Sequence, residues 1–255
     1  MSAALLAADG LRVAVPGRVL IDGLTFAIHP GDFLALLGGN GAGKSLLLRT
    51  LAGLRPASAG SVLLDGQPIG GLPRRTVATR LGFLPQDPDA PPQGTVRESV
   101  LLGRFAHQGF WDATAPADDA RAAAALAATG LAGFALRELA TLSGGEQRRA
   151  AIARLLVQAP SIYLLDEPTN HLDPAQQLAI LDRLRVLTRA GAAVVASLHE
   201  PNLALRFANR ACLLAGDGSA ATLACDALDV THLKRLYGID YLETRVGKQR
   251  FMAPE

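Results

Sequence analysis

The sequence predicts an α/β fold built on a parallel sheet and interrupted by a helical insert. Three observations lead there. Short apolar runs that end in polar residues recur, as in "DFLALLGGN", "LGFLPQ", "SIYLLDEP" and "AAVVASLH". Helical patterns lie between several of these runs, which is the alternation of a parallel sheet with crossover helices. From Thr95 to Gln158 helical patterns dominate. The body is therefore read as residues 1–86 and 160–255, with a helical subdomain over 87–159, all in one domain spanning 1–255. A chain of 255 residues has room for this.

The elements follow in order. "DFLALLGGN" reads as a buried strand running into a glycine-rich turn, and "KSLLLRTLAG" as the helix after it, with Gly53 as its C′ residue. "GSVLLDGQ" is a strand with a turn, and "LGFLPQ" is another strand before the turn-forming "DPDAPPQG". In "LATLSGGEQRRAAIARLL", Ser143 and Glu146 form a capping-box pattern at a helix start. Gly144 and Gly145 then occupy the first turn, at a cost of about 1 kcal/mol each against alanine. "SIYLLDEP", a helix from Pro174 to about Ala190 and "AAVVASLH" restore the strand–helix–strand pattern. The final "VTHLKRLYGIDYLETRVGKQRFMAPE" reads as a helix and a small β-hairpin or meander.

Composition limits the partners. Hydrophobic residues make up 49% of the chain, enough for a sizeable core. Lys plus Arg number 25 against 23 Asp plus Glu, so nothing points to nucleic acid. Arg74-Arg75 and Arg148-Arg149 are read as solvated helix faces. The N-terminus lacks a basic region and meets Asp9 before any long apolar core, unlike a signal peptide. The longest uncharged run, Ala122 to Leu136, is shorter than a bilayer span and reads as a closely packed helix. Cys212 and Cys225 lack metal-ligand or CxxC spacing, and a cytosolic chain with reduced thiols is expected.

"GGNGAGKS", Gly38 to Ser45, fits G-x-x-x-x-G-K-[ST] between a predicted strand and a predicted helix, the context this phosphate-binding loop requires. Its glycines let backbone N–H groups turn around phosphate oxygens, and the helix start adds partial positive charge. Lys44 is expected on the β/γ-phosphates, with the Ser45 hydroxyl on Mg²⁺. Three further strand ends carry polar residues, where ligands of parallel sheets collect. Asp166 suits an outer contact to the metal. Glu167, one residue on, can reach an attacking water. Gln86 can touch both metal and water, and His199 can hydrogen-bond a γ-phosphate oxygen. Read singly, these are a helix-cap acid, a turn residue and a strand terminus; together they outline phosphoryl transfer by positioning and charge neutralisation. No pocket for an acceptor hydroxyl is legible, so hydrolysis is favoured over a kinase.

"LSGGEQ", Leu142 to Gln147, resembles the signature motif of ABC-family ATPases and lies, as there, before the Walker B strand. The resemblance spans essentially the whole chain: Walker A over Gly38, Gly39, Asn40, Gly41, Ala42, Gly43, Lys44 and Ser45, with Leu46 next; Gln86 as Q-loop; Walker B over 162–167; "NHLD" with Asp173 as D-loop; His199 as H-loop. It implies the P-loop NTPase fold of ABC ATPases, with an antiparallel β subdomain beside the parallel core. It also implies ATP and Mg²⁺ as cofactors and a head-to-tail homodimer. There Ser143, Gly144, Gly145, Glu146 and Gln147 of one copy would close on the γ-phosphate held by the other, giving the two glycines an anion to approach. Two positions depart from the pattern. Val15 stands where an aromatic normally stacks on adenine, which removes about 1–3 kcal/mol of stacking unless another side chain substitutes. Leu46 stands where a threonine is common.

"TVRESVLLGRFAHQGFW", "HEPNLALRFANRACLL" and "LYGIDYLETRVGKQRFMAP" resemble the ATPases of importers for Fe(III)-siderophore, haem and cobalamin. That likeness implies a separate homodimeric permease in the membrane, a periplasmic binding protein that delivers cargo, and a place on the cytoplasmic face of the inner or plasma membrane. Phe105, Phe110 and Trp111 are either an aromatic surface for the permease or core of the insert. The rivals are a soluble ABC ATPase outside transport, an ATPase for unrelated cargo, and a P-loop kinase or GTPase, which would lack the signature.

Overall fold

The computed structural model describes residues 3–87, 93–107, 116–247 and 249–255. A central sheet carries β3 (Phe33–Leu37), β6 (Leu81–Leu84), β7 (Ile162–Leu165), β8 (Ala193–Ser197), β9 (Arg210–Leu214) and β10 (Ala220–Ala224) in the order β10-β9-β3-β8-β7-β6. All neighbours are parallel except β10 on β9. A second, antiparallel sheet has the order β2-β1-β4-β5, from β1 (Leu6–Val15), β2 (Arg18–Ile28), β4 (Ala59–Leu64) and β5 (Gln67–Pro68). A hairpin of β11 (Tyr241–Val246) and β12 (Gln249–Pro254) follows the last helix.

The parallel strands are apolar except for Ser197 at the end of β8 and Arg210 at the start of β9, because both faces are covered. Side chains alternate across a strand, so each strand feeds two cores. Leu34, Leu36, Ile162, Leu164, Ala193 and Val195 join a core shared with the antiparallel sheet and α1 (Lys44–Leu51). Phe33, Ala35, Leu37, Tyr163, Leu165, Val194 and Ala196 face the opposite core. That core is completed by α6 (Pro174–Arg189), α7 (Pro201–Phe207) and α8 (Val230–Tyr237). A short α2 (Arg74–Arg80) leads into β6. The helix α1 ends as its sequence predicts: Gly53 takes φ 67, and the Gly53 and Leu54 amides donate back to the carbonyls of Thr50 and Arg49.

The helical segment has its own core. Val96 and Val100 of α3 (Val96–Leu101), Ala122, Ala125 and Leu126 of α4 (Pro116–Ala128), and Ala150, Ala153 and Val157 of α5 (Gly144–Gln158) pack together. The alanines admit close approach of α4 and α5. Helix α5 also turns Ile152 and Leu155 towards the second core of the body, so it belongs to both layers. Among the described residues no helix is long and apolar enough to cross a membrane. Cys212 and Cys225 are buried free thiols, and burial pushes each up to about 12.

The start of α5 refines the reading of its two glycines. The capping box is present: the Glu146 amide donates to Ser143 Oγ at 3.3 Å, and the Ser143 amide donates to Glu146 Oε2 at 2.7 Å. A Cβ at Gly145 would lie 2.7 Å from the His171 carbonyl oxygen, whereas one at Gly144 would meet nothing within 4 Å. Close packing against the chain's own segment before α6 therefore requires Gly145, and only Gly144 is left open to an approaching group. Gly145→Ala is expected to destabilise the fold by about 1–3 kcal/mol through forced overpacking. Gly144→Ala is expected to be neutral or stabilising by up to about 1 kcal/mol. Chemical denaturation of the nucleotide-free variants checks this, and equal effects at the two positions would contradict it.

Candidate functional site

Strand β3 delivers the chain into Gly38, where a Cβ would lie 2.4 Å from the Leu214 carbonyl oxygen. The loop closes on α1 through Gly43, which takes φ 99 and offers no side-chain cap. The amides of the first turn of α1 are thus left for an anion. Lys44 is buried, and its Nζ donates to the carbonyls of Gly38 at 2.8 Å and Gly39 at 3.1 Å. Burial draws its pKa down, while the carboxylates of Glu167 and Asp166 oppose that shift. The ammonium is therefore held inside the loop, facing the strand ends that carry the acidic groups.

A cavity of about 450 Å³ opens above this loop. It is lined by Leu20, residues 40–46, Gln86, Glu167 and His199. The structure therefore brings together Asn40, Gly41, Ala42, Gly43, Lys44, Ser45 and Leu46 with the ends of β6, β7 and β8. Asp166 is 1% exposed and outside the lining, and its Oδ1 accepts from the Ser197 hydroxyl at 2.7 Å. The same hydroxyl accepts the Glu167 amide at 2.7 Å. Ser197 thus ties both acidic residues that follow β7 to the end of β8.

The Glu167 carboxylate is fixed from two sides. His199 Nε2 lies 2.6 Å from its Oε1, and Asn170 Nδ2 donates to its Oε2 at 3.2 Å. The histidine expected to reach a phosphate oxygen therefore also holds the carboxylate. Glu167 itself has φ 49, a left-handed conformation that a non-glycine residue keeps only when its surroundings impose it. Ser197 and Asn170 escaped the sequence reading. Ser197 closes the otherwise apolar β8 two residues before His199, and that polar end was the available signal.

Arg148 corrects the expectation of a solvated face. It is 9% exposed, and its guanidinium donates to the carbonyls of Pro85 at 2.5 Å, Gln86 at 3.1 Å and Glu167 at 2.8 Å, and to that of Asp166. Burial lowers its pKa to about 10 against the pull of Asp166, Glu167 and Asp87, so it stays cationic near neutrality. Its neighbour Arg149 is half-buried and donates to the carbonyls of Thr129 and Gly130. Arg74 and Arg75 are exposed as expected.

Other candidates lie elsewhere. Among the described residues the cavity lining includes none of Ser143, Gly144, Gly145, Glu146 and Gln147. Asp173 caps α6, its Oδ1 accepting from the Gln176 amide at 2.8 Å. Val15 is half-buried at the edge of the first core, and beside it the exposed Arg18 donates to the Gly216 carbonyl at 2.6 Å. Phe105 is 77% exposed, which removes the core alternative for that residue. Phe110 and Trp111 lie outside the described residues.

The arrangement fits a nucleoside triphosphate: an amide-lined turn with a buried ammonium, facing a carboxylate and an imidazole across a cavity of ligand size. Comparison with known proteins agrees. The family described as ABC transporter matches residues 21–170. The hemin import ATP-binding protein HmuV of Rhodopseudomonas palustris is 39% identical over 98% of this chain and 94% of its own. The probable siderophore transport system ATP-binding protein YusV of Bacillus subtilis is 40% identical over 82% and 76%. A metal-chelate type ABC transporter solved in an inward-facing conformation superposes with a TM-score of 0.83 at 28% identity, covering 99% of this chain and 98% of that one. A dimeric ATP-binding cassette in a post-hydrolysis state bound to ADP and Pi gives 0.76 at 27%, covering 88% and 100%. The chain belongs to the ABC transporter family, as one of its ATP-binding subunits and an ATPase.

Proposed function

We propose that the chain powers an importer of metal chelates, hydrolysing ATP in a head-to-tail homodimer bound to a separate permease. The observation that carries the catalytic part is the convergence of the phosphate loop, Gln86, Glu167 and His199 on one cavity. The relatives that import hemin and siderophores support the cargo class of haem, Fe(III)-siderophore or cobalamin.

In this reading the loop amides and Lys44 hold the β- and γ-phosphates. Glu167 orients the attacking water, with His199 fixing the carboxylate and reaching the γ-phosphate. Ser45, Gln86 and Asp166 offer only oxygen donors, the ligand chemistry of Mg²⁺, which binds through few protein groups and the substrate's phosphates. The bound metal would neutralise charge on the phosphate oxygens. Ser143 to Gln147 stand apart from their own chain's cavity, which supports their closing on the nucleotide of a second copy. Gly144, open on its outer side, lets that nucleotide approach the helix start. Asp173, as the cap of α6, holds the segment between the two sites.

The permease partner is supported by the exposed Phe105 and Leu102 on the helical subdomain, which is read as residues 87–159. Such a complex places the chain on the cytoplasmic face of the membrane, where a periplasmic binding protein acts on it only through the permease.

Glu167→Gln is expected to lower ATP turnover by about 10²–10⁴, the usual worth of a positioned base, with ATP still bound. Measured on protein recovered from membranes with its permease, retained turnover would move the catalytic carboxylate elsewhere, and recovery without a permease would remove the importer. Val15→Tyr is expected to tighten ATP binding by about 5–150-fold through restored base stacking. Equilibrium titration with ATP and GTP checks this; unchanged affinity for both would discard a role for the missing aromatic.

A further inference from the structure

Arg148 lies one turn into α5, the helix that opens with the signature residues, yet its guanidinium is spent on the catalytic body. One terminal nitrogen donates to the carbonyls of Pro85 and Gln86 at 2.5 and 3.1 Å, the other to Glu167 at 2.8 Å and to Asp166. These four acceptors follow the ends of β6 and β7, which pair in register through Leu84 and Leu165. A single planar fork therefore joins one helix start to two strand ends by charge-assisted bonds. Two of the residues it grips, Gln86 and Glu167, line the cavity. Glu167 keeps its φ of 49 between the Ser197 hydroxyl on its amide and Arg148 on its carbonyl.

We infer that Arg148 is a positioning residue: it sets the Glu167 carboxylate and Gln86 from the signature helix, so the helix that closes on a partner's nucleotide also fixes hydrolytic geometry in its own copy. The inference rests on the reading of Glu167 as the group that orients water. Gly145 strengthens the link, because the same helix start packs against the His171 carbonyl, four residues beyond Glu167. Lysine at 148 keeps the charge but is a compact point donor that cannot span both strand ends.

The test compares kcat and KM for ATP, per folded nucleotide-binding molecule, in the wild type, Arg148→Lys, Arg149→Lys and Glu167→Gln. Arg148→Lys is expected to cut kcat by about 10- to 100-fold, the effect of a misplaced catalytic group. Its KM is expected to stay within about twofold, as befits a residue that does not bind nucleotide. Arg149→Lys gives up bonds to Thr129 and Gly130 inside the helical layer and is expected to leave kcat within about twofold. If Arg148→Lys does not fold, Arg148→Gln serves the same comparison. Wild-type kcat in the Arg148 variant, or equal losses at 148 and 149, would overturn the inference while lost turnover in Glu167→Gln leaves the reading beneath it intact. Retained turnover in Glu167→Gln would overturn that reading and the inference with it.

Discussion

The parallel register of β3, β8, β7 and β6 is the constraint on which the rest depends. Four strands running the same way bring their carboxyl ends to one edge of the sheet, where the glycine loop follows β3 and Gln86, Glu167 and His199 stand two residues beyond β6, β7 and β8. Backbone satisfaction along the ladder leaves those ends fixed to within the strand spacing. A phosphate loop from β3 and polar groups from the other three strands then share one cavity with no long-range side-chain network needed to gather them. Both faces of the sheet are sealed by apolar layers, so the edge is where charge can be kept accessible.

Fixing the strand ends does not fix the carboxylate. Glu167 departs from the strand in a left-handed turn, a conformation of about 1–3 kcal/mol in cost that other parts of the structure impose. Ser197 from β8, His199 beyond it, Asn170 downstream and Arg148 from α5 all converge on this one residue. Three are polar groups of the body, and the fourth arrives from the helical layer. The helical layer is thus joined to the body by apolar packing of Ile152 and Leu155, by Gln158 Nε2 donating to the Ala78 and Leu81 carbonyls, and by the buried Arg148 guanidinium on the backbone around Glu167.

Much of this was legible in the sequence because the signals are local. Apolar runs with polar ends mark Gln86, Glu167 and His199, and glycines mark the loop before Lys44 and the start of α5. Arg148 was misread because it sits beside Arg149 in an apparently charged helix face. Adjacent helical residues point about 100° apart, so the two could not share a face. Arg148 stands four and seven residues before Ile152 and Leu155, on the stripe that meets the sheet, and that spacing was the missed clue. Gly145 needed the His171 carbonyl from a distant segment to explain it. The strand order β10-β9-β3-β8-β7-β6 is non-local in the same sense, set by pairing between segments far apart in the chain.

In the proposed dimer each hydrolytic site is built from two copies of the chain, one giving Lys44 and the other Ser143. Lys44→Ala and Ser143→Arg chains are each expected to be inactive alone. Turnover should reappear when they are mixed, because a mixed pair holds one site with both groups intact. Silence in the mixture, with each variant folded and able to pair, would contradict a site built across two copies.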